Sequence, residues 1–95
     1  MLVDFHTHLD QYSPSALRAA IDCIRENKIL TVAASCDIAS WKKNLKIAQS
    51  ASDLIIPTFG VHPSYCAEFP ENAGEIITLL EPYLAQSPVI GEIGL

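Results

Sequence analysis

The stretch Val3-Asp4-Phe5-His6-Thr7-His8-Leu9-Asp10 begins as an apolar strand and ends in two histidines at alternate positions. Successive side chains of a strand point to opposite faces of a sheet, so His6 and His8 share one face. Two imidazoles placed in this way can both reach a single metal ion. The packing of an apolar strand does not require two histidines at its end. The alternative is a pair of partly exposed histidines without a ligand, and the His-x-His pattern alone does not decide between the two.

The composition is that of one small globular domain covering residues 1–95, because 49% of the residues are hydrophobic and 18% are charged. No apolar run approaches the about 20 residues of a membrane span, and Asp4 and His6 interrupt anything that resembles a signal peptide. Cys23, Cys36 and Cys66 lie far apart and predict small buried side chains or idle thiols in a reducing compartment. We therefore expect a cytoplasmic protein with no membrane partner.

The formal net charge of −5 limits how the protein can bind nucleic acid. Proteins that bind a phosphate backbone normally present a basic surface. Basic residues are few here, and Lys42, Lys43 and Lys46 fit the solvated face of a helix. If the protein binds phosphate, metal ions have to supply much of the positive charge.

Apolar strand-like runs alternate with helical patterns along the whole chain. Ser13-Pro14 is typical of a helix start, and the apolar spacing that follows it predicts a helix to about Glu26. Pro82 is expected to end or kink the last helix. The predicted elements are strands at 2–6, 29–34, 54–59 and 89–93, helices at 14–26 and 73–80 with another between them that ends at a turn at 50–53, and a loop at 63–72.

The apolar positions also predict which helix faces are buried. The second helix begins after a cap at Asp37 or Ser40, of which Asp37 fits a cap better than a catalytic group. The residues predicted to face the core are Trp41, Leu45 and Ala48 on the second helix and Ile76, Leu79 and Leu80 on the third.

This alternation defines the expected fold class. Strands that alternate with helices and are apolar on both faces indicate an α/β protein with a parallel sheet and right-handed crossovers. A complete TIM (β/α)8 barrel needs about 250 residues, whereas this sequence holds three βα units and a fourth strand. We therefore expect the N-terminal part of such a barrel, about (βα)3β, as a truncated half-barrel of a larger protein.

Polar side chains follow each predicted strand. In parallel α/β folds the active site lies at the C-terminal ends of the strands. All three histidines of the chain stand at such ends, which a random scatter would seldom produce. The residues in these positions are His6 and His8 after the first strand, Ser35 and Asp37 after the second, His62 after the third and Glu92 on the fourth.

Three of these residues form a candidate ligand set. His6, His8 and Glu92 offer two imidazole nitrogens and a carboxylate, which suit zinc, manganese or a similar divalent metal. Such an ion lowers the pKa of bound water and polarises a phosphoryl or carbonyl oxygen. The alternative for Glu92 is a carboxylate satisfied by local hydrogen bonds, although Gly91 and Gly94 beside it indicate a close backbone approach.

The other polar residues have two interpretations each. His62 is either a contact to the substrate phosphate or transition state, or a hydrogen-bonded histidine that steadies the loop stiffened by Pro63. Asp4 and Asp10 are candidates to orient His6 and His8, although Asp10 equally fits the turn that follows the first strand.

Three stretches together resemble the TatD family of metal-dependent deoxyribonucleases, within the amidohydrolase-like metallohydrolase superfamily. They are Asp4-Phe5-His6-Thr7-His8-Leu9-Asp10, Gly60-Val61-His62-Pro63 and Ile90-Gly91-Glu92-Ile93-Gly94-Leu95. The resemblance runs along the whole chain, which covers about the first third or more of such a protein. It implies a (β/α)8 barrel, one or two divalent metal ions (zinc, magnesium or manganese) in the full-length protein, and hydrolysis of DNA phosphodiesters.

The same resemblance implies roles for individual residues. His6 and His8 match the metal ligands of the first strand, and Glu92 matches the catalytic carboxylate that ligates or bridges two metals. His62 lies in the family's His-Pro loop, as a catalytic or substrate-binding contact. Phe5 departs from the small residue usual there, and the ligands of later strands have no counterpart before Leu95. We therefore expect the 95-residue chain to be inactive alone.

Other functions stay open at this level. A phosphoesterase of the polymerase and histidinol phosphatase type also begins with His-x-His, although the Gly91–Leu95 stretch argues against it. An amidohydrolase that cleaves C–N bonds is a further option. The non-enzymatic alternative is a half-barrel that self-associates through its exposed strand edges, with no catalysis.

Overall fold

The computed structural model describes residues 1–68, 71 and 73–93. Strands and helices alternate through residue 57, and two further helices follow. In chain order the elements are β1 (Leu2–Thr7), a short 3-10 helix (Leu9–Gln11), α1 (Pro14–Asn27), β2 (Ile29–Ala33), α2 (Ile38–Ser50), β3 (Ile55–Pro57), α3 (Pro63–Glu68) and α4 (Ala73–Leu84). None of the helices in this described part is long and apolar enough to cross a membrane.

The three strands form one parallel sheet in the order β1-β2-β3. Leu2 lies opposite Ile29, and Thr31 lies opposite Ile55. The expected fold class is confirmed: the chain is α/β with parallel strands, consistent with the N-terminal part of a TIM-barrel-like fold. Because all three strands are parallel, their C-terminal ends lie at the same end of the sheet, which is where the candidate site lies.

The predicted fourth strand at 89–93 is wrong as a continuous strand. Only Ile90 forms a bridge, an isolated parallel one to Phe59, two residues beyond the end of β3. The backbone N–H of Gly91 still donates to Phe59 at 3.2 Å, but that of Glu92 donates to the carbonyl of Ser35 at 2.7 Å. The segment therefore passes from the residues that follow β3 to those that follow β2. Gly94 and Leu95, the last two residues of the Ile90–Leu95 motif, lie outside the described residues.

The predicted helix starts are confirmed in detail. The Ser13 hydroxyl accepts the N–H of Ala16 at 3.3 Å, with Pro14 at the first position of α1. Asp37 and Ser40 cap α2 together, because each side chain accepts the backbone N–H of the other, at 2.9 and 3.0 Å. Such reciprocal bonds satisfy donors that have no partner within the helix.

Two predictions for the C-terminal half need correction. The loop predicted at 63–72 contains the helix α3, whose first turn is closed by the N–H groups of Tyr65 and Cys66 donating to the carbonyl of His62. The helix α4 does not end near residue 80 but continues to Leu84 with Pro82 inside its last turn. Pro82 breaks one backbone bond there, and only two residues of the helix follow it.

The buried apolar side chains of the described residues form two clusters. One lies between the sheet and the helices α1 and α2, and the other packs α2 against α4. The buried members are Leu9, Ile24, Ala33, Ile47, Ala48, Ala51 and Ile55 in the first, and Trp41, Phe59, Ile76 and Leu80 in the second. The predicted buried face of α2 is confirmed, since Leu45 packs against the second cluster.

Large apolar side chains are exposed on α4, where the sequence predicted a packed face, and on β1. Leu79 is 53% exposed and faces solvent on α4. On β1, Leu2 and Phe5 are 64% and 74% exposed, because β1 pairs with β2 alone among the described strands. This exposed apolar surface agrees with the unpaired first strand expected of a half-barrel.

Candidate metal centre

The structure brings together the three ligands predicted from the sequence. His6, His8 and Glu92 each offer one ligand atom, and these atoms all lie within 4.8 Å of one another. The Nε2 atoms of His6 and His8 are 3.0 Å apart, and Nε2 of His8 is 3.5 Å from Oε2 of Glu92. Among the described residues, this is the group of histidine, cysteine and acidic side chains whose ligand atoms lie close enough together to hold one metal ion.

The local backbone explains how these side chains meet. His6 lies on β1, and His8 follows directly after the strand, so their rings stand edge to face with centroids 4.8 Å apart. Glu92 reaches them because its backbone is bonded to Ser35, at the end of the neighbouring strand β2. The chain folds back here through Gly91, whose carbonyl accepts the Thr58 hydroxyl at 2.8 Å.

The spacing of these atoms fits a bound divalent ion. With zinc–nitrogen bonds of about 2.0–2.1 Å, two ligand atoms of a tetrahedral site stand about 3.3 Å apart. The observed 3.0 and 3.5 Å separations bracket that value. The side chains of His8 and Glu92 keep 29% and 26% of their surface accessible. A centre with three protein ligands and solvent access matches the pattern of catalytic zinc sites rather than closed structural ones.

The carboxyl of Glu92 is held in its ionised form. The thiol of Cys36 donates to Oε2 at 3.0 Å, and this bond, together with the nearby imidazoles of His8, His6 and His62, lowers the pKa of Glu92 against the opposing effect of burial. Metal ligands of this type must be deprotonated. The residue is therefore prepared as a carboxylate ligand at neutral pH.

Cys36 is a site residue that the sequence did not reveal. The sequence predicts a small buried side chain or an idle thiol here, but burial and the hydrogen bond to Glu92 raise the pKa of Cys36 to about 12. The thiol therefore stays protonated and donates. The one available signal was its position directly after Ser35, at the same sheet edge as the histidines.

His62 lies near Glu92 but outside the group of three ligands. Its Nδ1 accepts the backbone N–H of Ser64 at 3.1 Å and lies 2.7 Å from the Ser64 hydroxyl. Its backbone N–H donates to the carbonyl of Cys36 at 3.0 Å. These bonds agree with one of the two predicted roles of His62, that of a hydrogen-bonded histidine that stabilises the loop. A contact between His62 and a substrate stays a prediction.

The hydrogen bonds of the Asp4 and Asp10 carboxylates go to groups other than the imidazoles of His6 and His8. Asp4 accepts the backbone N–H of His6 at 3.2 Å, and Asp10 accepts the side-chain amide of Asn44 at 3.4 Å. Nδ1 of His8 is buried and has no hydrogen-bond partner among the described residues. The predicted orienting role of Asp4 and Asp10 stays a prediction.

The fold and this cluster define an α/β protein with a candidate metal centre at the ends of its strands. Comparison with known families agrees: the model of the family described as TatD-related DNase matches residues 3–95. The chain belongs to this family, as the three motifs predicted. Its members are nucleases and related hydrolases that generally depend on metal ions. None of the curated proteins compared with the sequence is detectably similar to it.

Proposed function

We propose that the protein is a metal-dependent deoxyribonuclease in which His6, His8 and Glu92 hold a divalent ion. The convergence of two imidazole Nε2 atoms and a carboxylate, all within 4.8 Å, is the observation that supports this proposal. Zinc, magnesium and manganese are the candidate ions, and the family match favours phosphodiesters over the phosphomonoester and amide alternatives. When bound, such an ion lowers the pKa of water and polarises a phosphoryl oxygen.

The chain itself supplies ligands, orientation and charge. The two imidazoles are neutral donors that leave an ion's positive charge largely uncompensated, while Glu92 contributes one negative charge. The net charge of −5 gives DNA no general attraction to the surface. We therefore expect the substrate phosphate to bind at the metal centre and not along a basic groove, with His62, which lies near Glu92, as a further contact.

Metal content is the direct test. The wild-type chain is purified, loaded with zinc or manganese, desalted and measured by elemental analysis beside His6→Ala and Glu92→Ala. We expect stoichiometric metal in the wild type and loss in both variants, because each removes one ligand. His62→Ala is the matched control and should keep its metal, since His62 is outside the cluster. Wild-type protein without metal would contradict the proposal.

Cleavage of a DNA oligonucleotide tests the activity separately. We expect any cleavage to require added metal, to stop with a chelator and to be lost in Glu92→Ala. His62→Ala should keep metal but cleave more slowly if His62 contacts the phosphate. We expect this 95-residue chain to be weak or inactive alone, so metal binding is the primary readout.

A second candidate function follows from the exposed edge of β1. Leu2 and Phe5 are exposed beside a strand edge that has no partner among the described strands. Such an edge pairs readily with another chain, and we propose a second copy as its partner. Sedimentation at micromolar concentration should show a dimer that Phe5→Lys weakens, whereas Ile77→Lys on the exposed side of α4 should not. A monomeric wild type would contradict this.

The cysteines support a cytoplasmic location as part of the same proposal. Cys23, Cys36 and Cys66 are free thiols in the structure, and free thiols persist in reducing compartments. Fractionation of cells that produce the protein should place it with cytoplasmic markers. Recovery with a secreted or periplasmic fraction would contradict this location.

A further inference from the structure

The end of β2 holds Glu92 by two separate hydrogen bonds. The carbonyl of Ser35 accepts the backbone N–H of Glu92 at 2.7 Å, and the thiol of the next residue, Cys36, donates to Oε2 of its carboxylate at 3.0 Å. The first bond fixes where the glutamate backbone lies. The second fixes the direction of its carboxylate, which is the part that faces His8.

Cys36 is itself held on both sides. Its backbone N–H donates to the buried hydroxyl of Ser40 at 2.9 Å, within the capping structure of α2. Its carbonyl accepts the N–H of His62 at 3.0 Å. A short side chain on a backbone fixed in this way has few alternative positions, so its thiol is a well-placed donor.

We infer that Cys36 is a positioning residue for the metal centre, which orients the carboxylate of Glu92 toward the two imidazoles. This inference rests on the proposed metal-dependent function. A glutamate side chain has several rotatable bonds, and the freedom lost when it binds a metal weakens binding. A donor that restricts the carboxylate beforehand reduces that loss. Hydrogen-bond partners of metal ligands commonly affect metal affinity in this way.

The role depends on the donor and not on the volume of the side chain. Cys36→Ser keeps a donor of similar size, Cys36→Val fills the space without a donor, and Cys36→Ala removes both. Affinity for Co²⁺ is measured on the full chain by titration, with the visible absorption of the bound ion as a second readout. Denaturation curves recorded for each variant establish that it is folded before titration.

We expect Cys36→Ala and Cys36→Val to bind Co²⁺ about 10–100-fold more weakly than the wild type, with altered visible spectra. Cys36→Ser should stay close to the wild type in both. Cys66→Ala, in α3, is the matched control and should change neither. Equal affinity of the wild type and Cys36→Val, or an equal loss in Cys36→Ser and Cys36→Val, would overturn the positioning role.

The hydrogen bond can also be tested without metal. In a background with Cys23 and Cys66 replaced by serine, Cys36 contributes the single S–H stretching band in the infrared. We expect this band at lower frequency when Glu92 is present than in Glu92→Ala, because donation to a carboxylate weakens the S–H bond. An unchanged band would overturn the inference directly.

The outcomes separate this inference from the proposed function. A wild-type chain that binds no Co²⁺ contradicts the metal centre, and the positioning role falls with it. A wild type that binds Co²⁺ as tightly as Cys36→Ala leaves the centre intact and overturns only the role of Cys36.

Discussion

Gly60 lies so close to Glu92 that a Cβ atom at position 60 would overlap the backbone carbonyl oxygen of Glu92 and lie 2.8 Å from the carbonyl carbon of Gly91. Real Cβ atoms do not make backbone contacts this short. The absence of a side chain at position 60 therefore allows the segment carrying Glu92 to reach the candidate metal centre.

We predict that Gly60→Ala lowers metal affinity more than tenfold, because the added methyl group displaces the backbone of Glu92. The measurement is a zinc or cobalt titration. Gly74→Ala is the matched control: a Cβ at Gly74 has nothing within 4 Å, and alanine favours the helix α4 by about 0.5–1 kcal/mol. Wild-type metal affinity in Gly60→Ala would contradict the proposed dependence on this contact.

Trp41 joins the second core cluster to the loop that follows β3. Its side chain is fully buried, its indole N–H donates to the carbonyl of Gly60 at 2.7 Å, and its ring packs against Tyr83 with centroids 5.6 Å apart. We predict that Trp41→Phe lowers the free energy of unfolding by about 2–3 kcal/mol, from lost packing and an unpaired buried carbonyl.

Urea denaturation measures this change. Tyr12→Phe is the control, since Tyr12 is 46% exposed and its hydroxyl is expected to matter by less than about 0.5 kcal/mol. A Trp41→Phe variant as stable as the wild type would mean that the hydrogen bond to Gly60 contributes nothing.

Local sequence signals predicted the parts of the fold that local forces decide. The caps at Ser13 and Asp37 and the alternation that puts His6 and His8 on one face depend on residues a few positions apart. The placement of Glu92 near them followed from a general rule of parallel sheets, that strand ends meet at one edge. These features could therefore be predicted without coordinates.

Long-range competition accounts for the rest. The run around Ile90 reads as a strand, but the N–H of Glu92 bonds to Ser35, 57 residues earlier in the chain, and not to β3. The same contact region makes Cys36 a partner of Glu92, which a lone cysteine in the sequence does not reveal. Leu79 fits the apolar spacing of α4, yet its side chain is exposed. The face of α4 that packs against the core is therefore narrower than the apolar face predicted from the sequence.

The acid sensitivity of the metal-free protein should depend on Glu92. Because the pKa of Glu92 is lowered in the folded protein from its ordinary value of 4.5, its ionised form stabilises the fold above that pH. The stabilisation is lost as the pH falls through the lowered value. We predict that Glu92→Gln, measured with a chelator present, loses less stability on acidification than the wild type.

The comparison is the difference in unfolding free energy between wild type and variant as a function of pH. Glu75→Gln, on the exposed face of α4, controls for the change in net charge and should follow the wild type. Parallel curves for wild type and Glu92→Gln would show that the Cys36 bond does not favour the carboxylate.

The hydrogen bond between Cys36 and Glu92 also affects the stability of the protein at alkaline pH. The pKa of its thiol is raised from 9.0 to about 12 in the folded protein, first by burial and then by Glu92, so the folded state retains a proton that the unfolded state releases. The stabilisation is complete below about pH 9 and is lost as the pH rises toward 12. We predict that Cys36→Ser removes this part of the alkaline destabilisation. At pH 8 iodoacetamide, which is attacked by the thiolate and not by the thiol, should modify exposed Cys23 well before Cys36 in the folded, metal-free protein. Mass spectrometry of the digested protein identifies the modified residue, and equal rates at the two positions would contradict the raised pKa.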